Sequence, residues 1–121
     1  MTKSLREEYE KILEVMNKYY EAQVEGNSEI LKPVCHTNAI MHGYYNGTLL
    51  EGSITNLFDV IDKSGKQPQL KARFDILTLE ETVANVHCCL EGETFSYTDL
   101  FQLLKIENKW KIISKIFHQY K

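Results

Sequence analysis

Tyr97-Thr-Asp-Leu-Phe-Gln-Leu-Leu-Lys105, followed directly by Ile106-Glu-Asn-Lys-Trp-Lys-Ile-Ile-Ser-Lys-Ile-Phe-His118, is the stretch whose reading decides the fold. Its alternating apolar residues describe two long strands, and Glu107-Asn108 fits the two-residue turn that joins them. On the first strand the odd positions are Phe95, Tyr97, Asp99, Phe101 and Leu103. That set is the more aromatic of the two, so it should face the interior. If Glu107-Asn108 forms a two-residue turn, Ile106 pairs with Lys109, and His118 lies opposite Tyr97, Ile116 opposite Asp99 and Ser114 opposite Phe101. A lengthened loop would flip the last strand and bring Lys115 and Phe117 inward instead. Asp99 is the one carboxylate on this face, and an unpaired buried carboxylate either finds a donor or takes a raised pKa.

Working outward, strands are expected near 70–79, 83–91, 94–106 and 109–120. Ala84, Val86, Cys88 and Leu90 form an inward row on the second of these, with Asn85, His87 and Cys89 on the other side. Neighbouring strand residues point to opposite faces, so Cys88 and Cys89 do not share a metal ion, and Cys88 reads as a small core hydrophobe. Lys71 and Arg73 fall on an outer, solvated or interface face. The front of the chain is helical. Ser4 to Glu7 fits a capping box, and Leu5, Tyr9, Ile12, Leu13, Met16, Tyr20 and Val24 recur at helical spacing. Gly26-Asn27 ends that helix, and Ser28 is placed to cap a short second one that stops near Pro33. His36-Thr-Asn38 reads as a turn, Ala39 to Tyr44 as a strand, and Asn46-Gly47 as a hairpin turn leading to Thr48–Leu50. Ser53 can cap a third helix with Ile54, Leu57, Phe58 and Ile61 on its inner face, ending around Ser64-Gly65. Helices first and a meander afterwards give the α+β class, with N-terminal helices packed on one face of a curved antiparallel sheet.

The 121 residues suit one domain, 1–121, with no linker, repeat or low-complexity segment. A net charge of -3 with scattered basic residues argues against nucleic acid as a partner. Three cysteines, two of them adjacent, do not form a disulfide framework. No apolar run approaches membrane-spanning length, and Met1-Thr-Lys-Ser-Leu-Arg-Glu-Glu leads into a charged helix rather than a leader. A cytoplasmic, reducing location is the simplest expectation.

This element order, with its Asp-Leu-Phe-Gln-Leu-Leu-Lys strand and its Trp-Lys-Ile strand ending in Phe-His, resembles the nuclear transport factor 2-like superfamily. Within it the chain is similar to the SnoaL-like branch of lumazine-binding proteins. The likeness extends to Gly26, the His36-Thr-Asn-Ala segment and the Asn-Gly turn before a Ser-capped helix. It implies a cone-shaped fold with a strongly curved sheet, a pocket between sheet and helices, and a homodimer built on the sheet's outer face. In the ketosteroid isomerase branch an aspartate on the first strand removes the substrate proton. Residues 38 to 46 contain no carboxylate, and Gly43 sits near the expected place of the base. That departure counts against ketosteroid-type isomerisation.

Tyr20, His42, Tyr44, Tyr97, Asp99, Phe101, Ser114 and His118 are therefore the expected pocket residues. Asp99 and His42 are the candidate acid/base groups, since a carboxyl on an apolar face and an imidazole can both titrate near neutrality. No residue pattern calls for a metal or a cofactor. The leading functional reading is a domain that binds a small hydrophobic or aromatic molecule between apolar walls and a few polar anchors. An acid/base enzyme that isomerises, cyclises or dehydrates its substrate, pairing Asp99 with a histidine, is the alternative. A protein-interaction module using the outer sheet face is the third.

Overall fold

The computed structural model describes residues 5–120, so the Ser4 half of the expected capping box lies outside the described residues. Helix α1 spans Leu5–Glu25, and two single 3-10 turns at Ser28–Ile30 and Lys32–Val34 lead into β1 at Cys35–Tyr45. Then come β2 (Thr48–Leu50), α2 (Thr55–Ser64), β3 (Lys71–Leu79), β4 (Val83–Glu91), β5 (Ser96–Ile106) and β6 (Lys109–Tyr120). The six strands form one sheet in the order β2-β1-β6-β5-β4-β3. All neighbours are antiparallel except β1 and β6, which run parallel. The helices cover one face of the sheet, which gives the cone.

The face that α1 buries is turned from the expected one. Glu8, Ile12, Val15, Met16, Tyr19 and Ala22 are buried, while Leu5 and Tyr9 are 55% and 44% exposed. A carboxylate on the true face, and tyrosines on both candidate faces, had pulled the apparent stripe round. Gly26 closes α1 at φ 63, and a Cβ there would lie 2.3 Å from the Gly65 backbone. The cap of the next turn is Asn27, whose side chain accepts the Glu29 N–H at 3.1 Å. Ser28 is instead buried, giving its N–H and hydroxyl to Asp62 at 2.8 Å each. Ser53 accepts the Thr55 N–H at 3.1 Å at the start of α2, and Leu57 and Ile61 pack inward.

Residues 36–38 are not a separate turn but an irregular part of β1. Cys35 pairs with Ile112 and Ile40 with Ser114, so the first strand spends more residues than its partner between these points. The row Ala84, Val86, Cys88 and Leu90 is buried on β4. Glu107 and Asn108, at φ 48 and 69, make the two-residue turn between β5 and β6.

The register then departs from an unbroken hairpin. Leu103 pairs with Ile112 but Gln102 pairs with Ser114, leaving Ile113 without a partner. This β-bulge exchanges the two faces of β6 beyond that point. Lys115, Phe117 and Gln119 go to the inner face, and Ser114, Ile116 and His118 to the outer one. The flip comes from the bulge in mid-strand, while the loop keeps its two residues.

Candidate functional site

A cavity of about 380 Å³ opens between the helices and the wide end of the sheet. Its aromatic wall is Phe95, Tyr97 and Phe117, whose rings meet edge to face at 5.6 and 6.0 Å between centroids. Met41, Leu57, Val60 and Leu90 add aliphatic surface. Amides supply the polar side. Gln119 Nε2 donates to Tyr97 Oη at 3.0 Å and to Asn46 Oδ1 at 3.2 Å, and Gln119 Oε1 accepts the Asn46 N–H at 2.7 Å. Gln23 Nε2 donates to Tyr19 Oη at 3.3 Å. Burial pushes the Tyr97 hydroxyl up to about 12, so it is a neutral donor or acceptor at physiological pH.

At the inner wall, three ionisable side chains meet with almost no exposure to solvent. Tyr19 of α1 and Lys115 of β6 line the cavity, and Asp99 of β5 lies just behind them. Asp99 is 0% exposed and Lys115 4%. Tyr19 Oη donates to Asp99 Oδ2 at 2.7 Å. Lys115 Nζ is 3.8 Å from Oδ1, an ion-pair distance beyond hydrogen-bond reach, and Oδ1 accepts no hydrogen bond among the described residues. Three rings surround the amine: Phe117 at 5.0 Å, Tyr19 at 5.2 Å and Phe101 at 5.9 Å from Nζ to centroid. They offer partial cation–π compensation for lost hydration.

The electrostatics follow from burial. Desolvation raises the Asp99 pKa, opposed by Lys115 and by the Tyr19 hydrogen bond. It lowers the Lys115 pKa, opposed by Asp99. Both groups are thus driven toward their neutral forms, and each restrains the other. Tyr19 is held well above its ordinary value by burial first and by Asp99 next. Cys88, opposite Asp99 in the sheet, is also pushed up by burial and stays a thiol.

Of the residues expected to meet here, the structure brings Tyr97 to the cavity wall and Asp99 immediately behind it. Phe101 is buried below them in the core, its ring 4.8 Å from that of Tyr19. The others lie elsewhere. Ser114 and His118 are outward because of the bulge. Ser114 donates to Gln102 Oε1 at 2.9 Å, and His118 meets the Tyr120 ring edge to face at 4.5 Å between centroids. His42 and Tyr44 are outward because Ala39 and Met41 are the buried residues of β1, and Tyr44 is 63% exposed. The parity of β1 was misread because its outer face carries the bulkier apolar residues, Ile40 and Tyr44. Its inner face carries Gly43, where a Cβ would stand 2.6 Å from the Phe117 ring. Tyr20 points away from the cavity and donates to the Leu70 carbonyl at 2.7 Å. Sequence reasoning missed Tyr19 and Lys115 as a pair. The residue that carried a signal was Lys115 itself, which the alternative facing of the last strand turns inward with Phe117; the bulge, rather than a longer loop, produces that facing.

Among the described residues no three His, Cys, Asp or Glu side chains group as metal ligands, and no helix is long and apolar enough to cross a membrane. Residues 7–118 match the family described as "Putative lumazine-binding". A curated protein from Cladobotryum sp., Aldolase FrzH, is 38% identical over 116 residues, covering 93% of this chain and 92% of its own length. An NTF2-like protein of unknown function from Shewanella baltica superposes with a TM-score of 0.92 at 34% identity, covering 99% of both chains. Another, from Methylobacillus flagellatus, gives 0.89 at 31% identity over 95% of this chain and 94% of its own.

Proposed function

This chain belongs to the putative lumazine-binding family of the nuclear transport factor 2-like superfamily, and from that premise we propose that its cone binds a small carbonyl compound and performs acid/base chemistry on it. The observation that carries the proposal is the Asp99–Tyr19–Lys115 cluster on the inner wall of the cavity. A domain that only wraps an apolar ligand has no need of three ionisable groups buried together, because each costs desolvation. A carboxyl with a raised pKa suits proton transfer near neutral pH, and the neighbouring phenol can steady developing negative charge. The catalytic partner of Asp99 in this reading is Tyr19 with Lys115, not a histidine. The aldolase relative supports carbonyl chemistry, since an aldol step begins with removal of a proton next to a carbonyl. The aromatic wall favours a ligand with a flat or ring-shaped body. A pterin such as lumazine is one such shape, favoured here only by the family's name.

The test is deuterium exchange at the α-carbon of a panel of aryl ketones and aldehydes, followed by NMR in heavy water. We expect saturable exchange with the intact chain and a fall of about a hundredfold in Asp99→Asn, the usual size of a general acid/base contribution. Saturable binding without exchange would return the protein to a binding domain.

A second copy of the chain is the partner this reading favours. His42, Ile116, Leu100 and His87 run side by side across β1, β6, β5 and β4 on the outer face. Ile116, Ile40 and Leu100 there are 51%, 44% and 39% exposed, an apolar surface suited to burial in a dimer. Sedimentation of Ile116→Lys tests it: a monomer is expected, and an unchanged dimer would place the interface elsewhere.

A further inference from the structure

We propose that Lys115 is a nucleophile that joins the carbonyl carbon of the ligand as an imine, so that the reaction runs through an enamine. This rests on the acid/base reading above and names the covalent step within it.

The geometry separates Lys115 from a structural lysine. An ammonium has three donors, and in a structural role it spends them. Lys115 Nζ makes no hydrogen bond among the described residues; its partners are one carboxylate oxygen at 3.8 Å and three ring faces. Asp99 Oδ1, aimed at it, likewise accepts none. Both ends of the pair therefore keep unused hydrogen-bonding capacity, the lysine on the cavity wall and the carboxylate oxygen 3.8 Å behind it. A substrate oxygen set near Nζ would find a donor or nucleophile, with a carboxyl behind it. Phe117 and Tyr97 hold the body of a flat ligand on the same side. Apolar surroundings also favour the free amine, the form that attacks.

The step balances with no cofactor. The Lys115 lone pair attacks the carbonyl carbon, a C–N bond forms, and the N–H proton passes to the carbonyl oxygen to give a carbinolamine. Asp99, as the carboxylic acid, protonates the hydroxyl, which leaves as water and yields a protonated imine beside a carboxylate. That carboxylate takes a proton from the adjacent carbon. The C–H electron pair becomes a C=C bond and the nitrogen recovers its lone pair. The enamine carbon can then attack a second carbonyl, and water hydrolyses the product from Lys115.

Benzoylacetone is a suitable probe, because its imine with an amine rearranges to a conjugated enaminone that absorbs in the near ultraviolet. The intact chain is incubated with it near neutral pH, then weighed by mass spectrometry and mapped by peptide. We expect one adduct, heavier by the probe minus one water, on Lys115, with complete loss of the chromophore in Lys115→Met and Lys115→Arg. Mapping the unaltered chain identifies the modified lysine even if a variant fails to fold. Adducts spread over surface lysines, or none while benzoylacetone still binds and the panel ketones still exchange their α-protons, would overturn the imine and leave the acid/base reading standing. Neither adduct nor binding nor exchange with any panel carbonyl would overturn both.

Discussion

Two buried carboxylate–lysine pairs bridge the same three elements, α1, β5 and β6, at opposite ends of the cone. Near the β5–β6 turn, Glu8 of α1 is hydrogen-bonded by Lys105 of β5, approached by Lys11 at 4.0 Å, and receives the Trp110 indole N–H at 3.5 Å. At the open end, Asp99 Oδ2 takes the Tyr19 hydroxyl, while Oδ1 accepts no hydrogen bond among the described residues and faces a lysine held at 3.8 Å. The first carboxylate is pulled below its ordinary pKa, chiefly by the Lys105 hydrogen bond; the second is pushed above it by burial. A buried pair that serves the fold satisfies its atoms, whereas one beside a cavity leaves capacity unused. The contrast teaches which charge to call structural.

The largest effect should come from Glu8→Ala, which withdraws the carboxylate from Lys105 and Trp110. We expect a loss of about 3 kcal/mol in urea unfolding, with ligand exchange in the cavity unchanged for the fraction that remains folded. Replacing the open-end pair together, Asp99→Leu with Lys115→Met, should leave stability equal or higher, because a loosely made buried pair does not repay its desolvation. A comparable loss from both would erase the distinction. Tyr19→Phe comes next. Removing the 2.7 Å hydrogen bond from Tyr19 to Asp99 should cost about 2 kcal/mol, read as a lower urea midpoint with an unchanged slope.

Gly43→Ala should cost about 1–2 kcal/mol by crowding the Phe117 ring, and should weaken probe binding at the aromatic wall, measured by calorimetry. Lys115→Met alone sharpens the comparison through pH. Without the amine that opposes its rise, the Asp99 pKa moves further above 3.8 in the folded protein. The folded state then holds a proton that the unfolded chain releases, so this contribution is intact below about pH 3.8 and is lost as pH climbs through the folded value. Thermal melts of the variant should therefore fall from acid to neutral pH more steeply than those of the parent. The smallest effect belongs to His118→Ala, on the outer face, with a change within about 0.5 kcal/mol and no effect on α-proton exchange.

The fold was legible because its signals are local. Asn46-Gly47, Glu107-Asn108 and Gly65 announce their turns, and the inward row of β4 alternates without interruption. The site was only half legible because it depends on one unpaired residue, Ile113. A bulge leaves no mark in composition, so everything beyond it on β6 was placed on the wrong face, and His118 was set where Gln119 and Lys115 belong. The same limit governs α1. Tyr19 and Tyr20 are chemically alike, and only the rotation fixed by burying Glu8 against Trp110 selects Tyr19 for Asp99. His42 failed for a different reason: a strand with apolar residues on both faces does not declare which is inside.

The most direct test of the central claim follows the carboxyl carbons of Asp99 and Glu8 together by carbon-13 NMR across the acid-to-neutral range. The account predicts that they part in opposite directions, Asp99 titrating above an ordinary aspartate and Glu8 below an ordinary glutamate. If Asp99 also titrates below its ordinary value, it is a satisfied structural anion like Glu8, and the open end of the cone holds no acid/base pair.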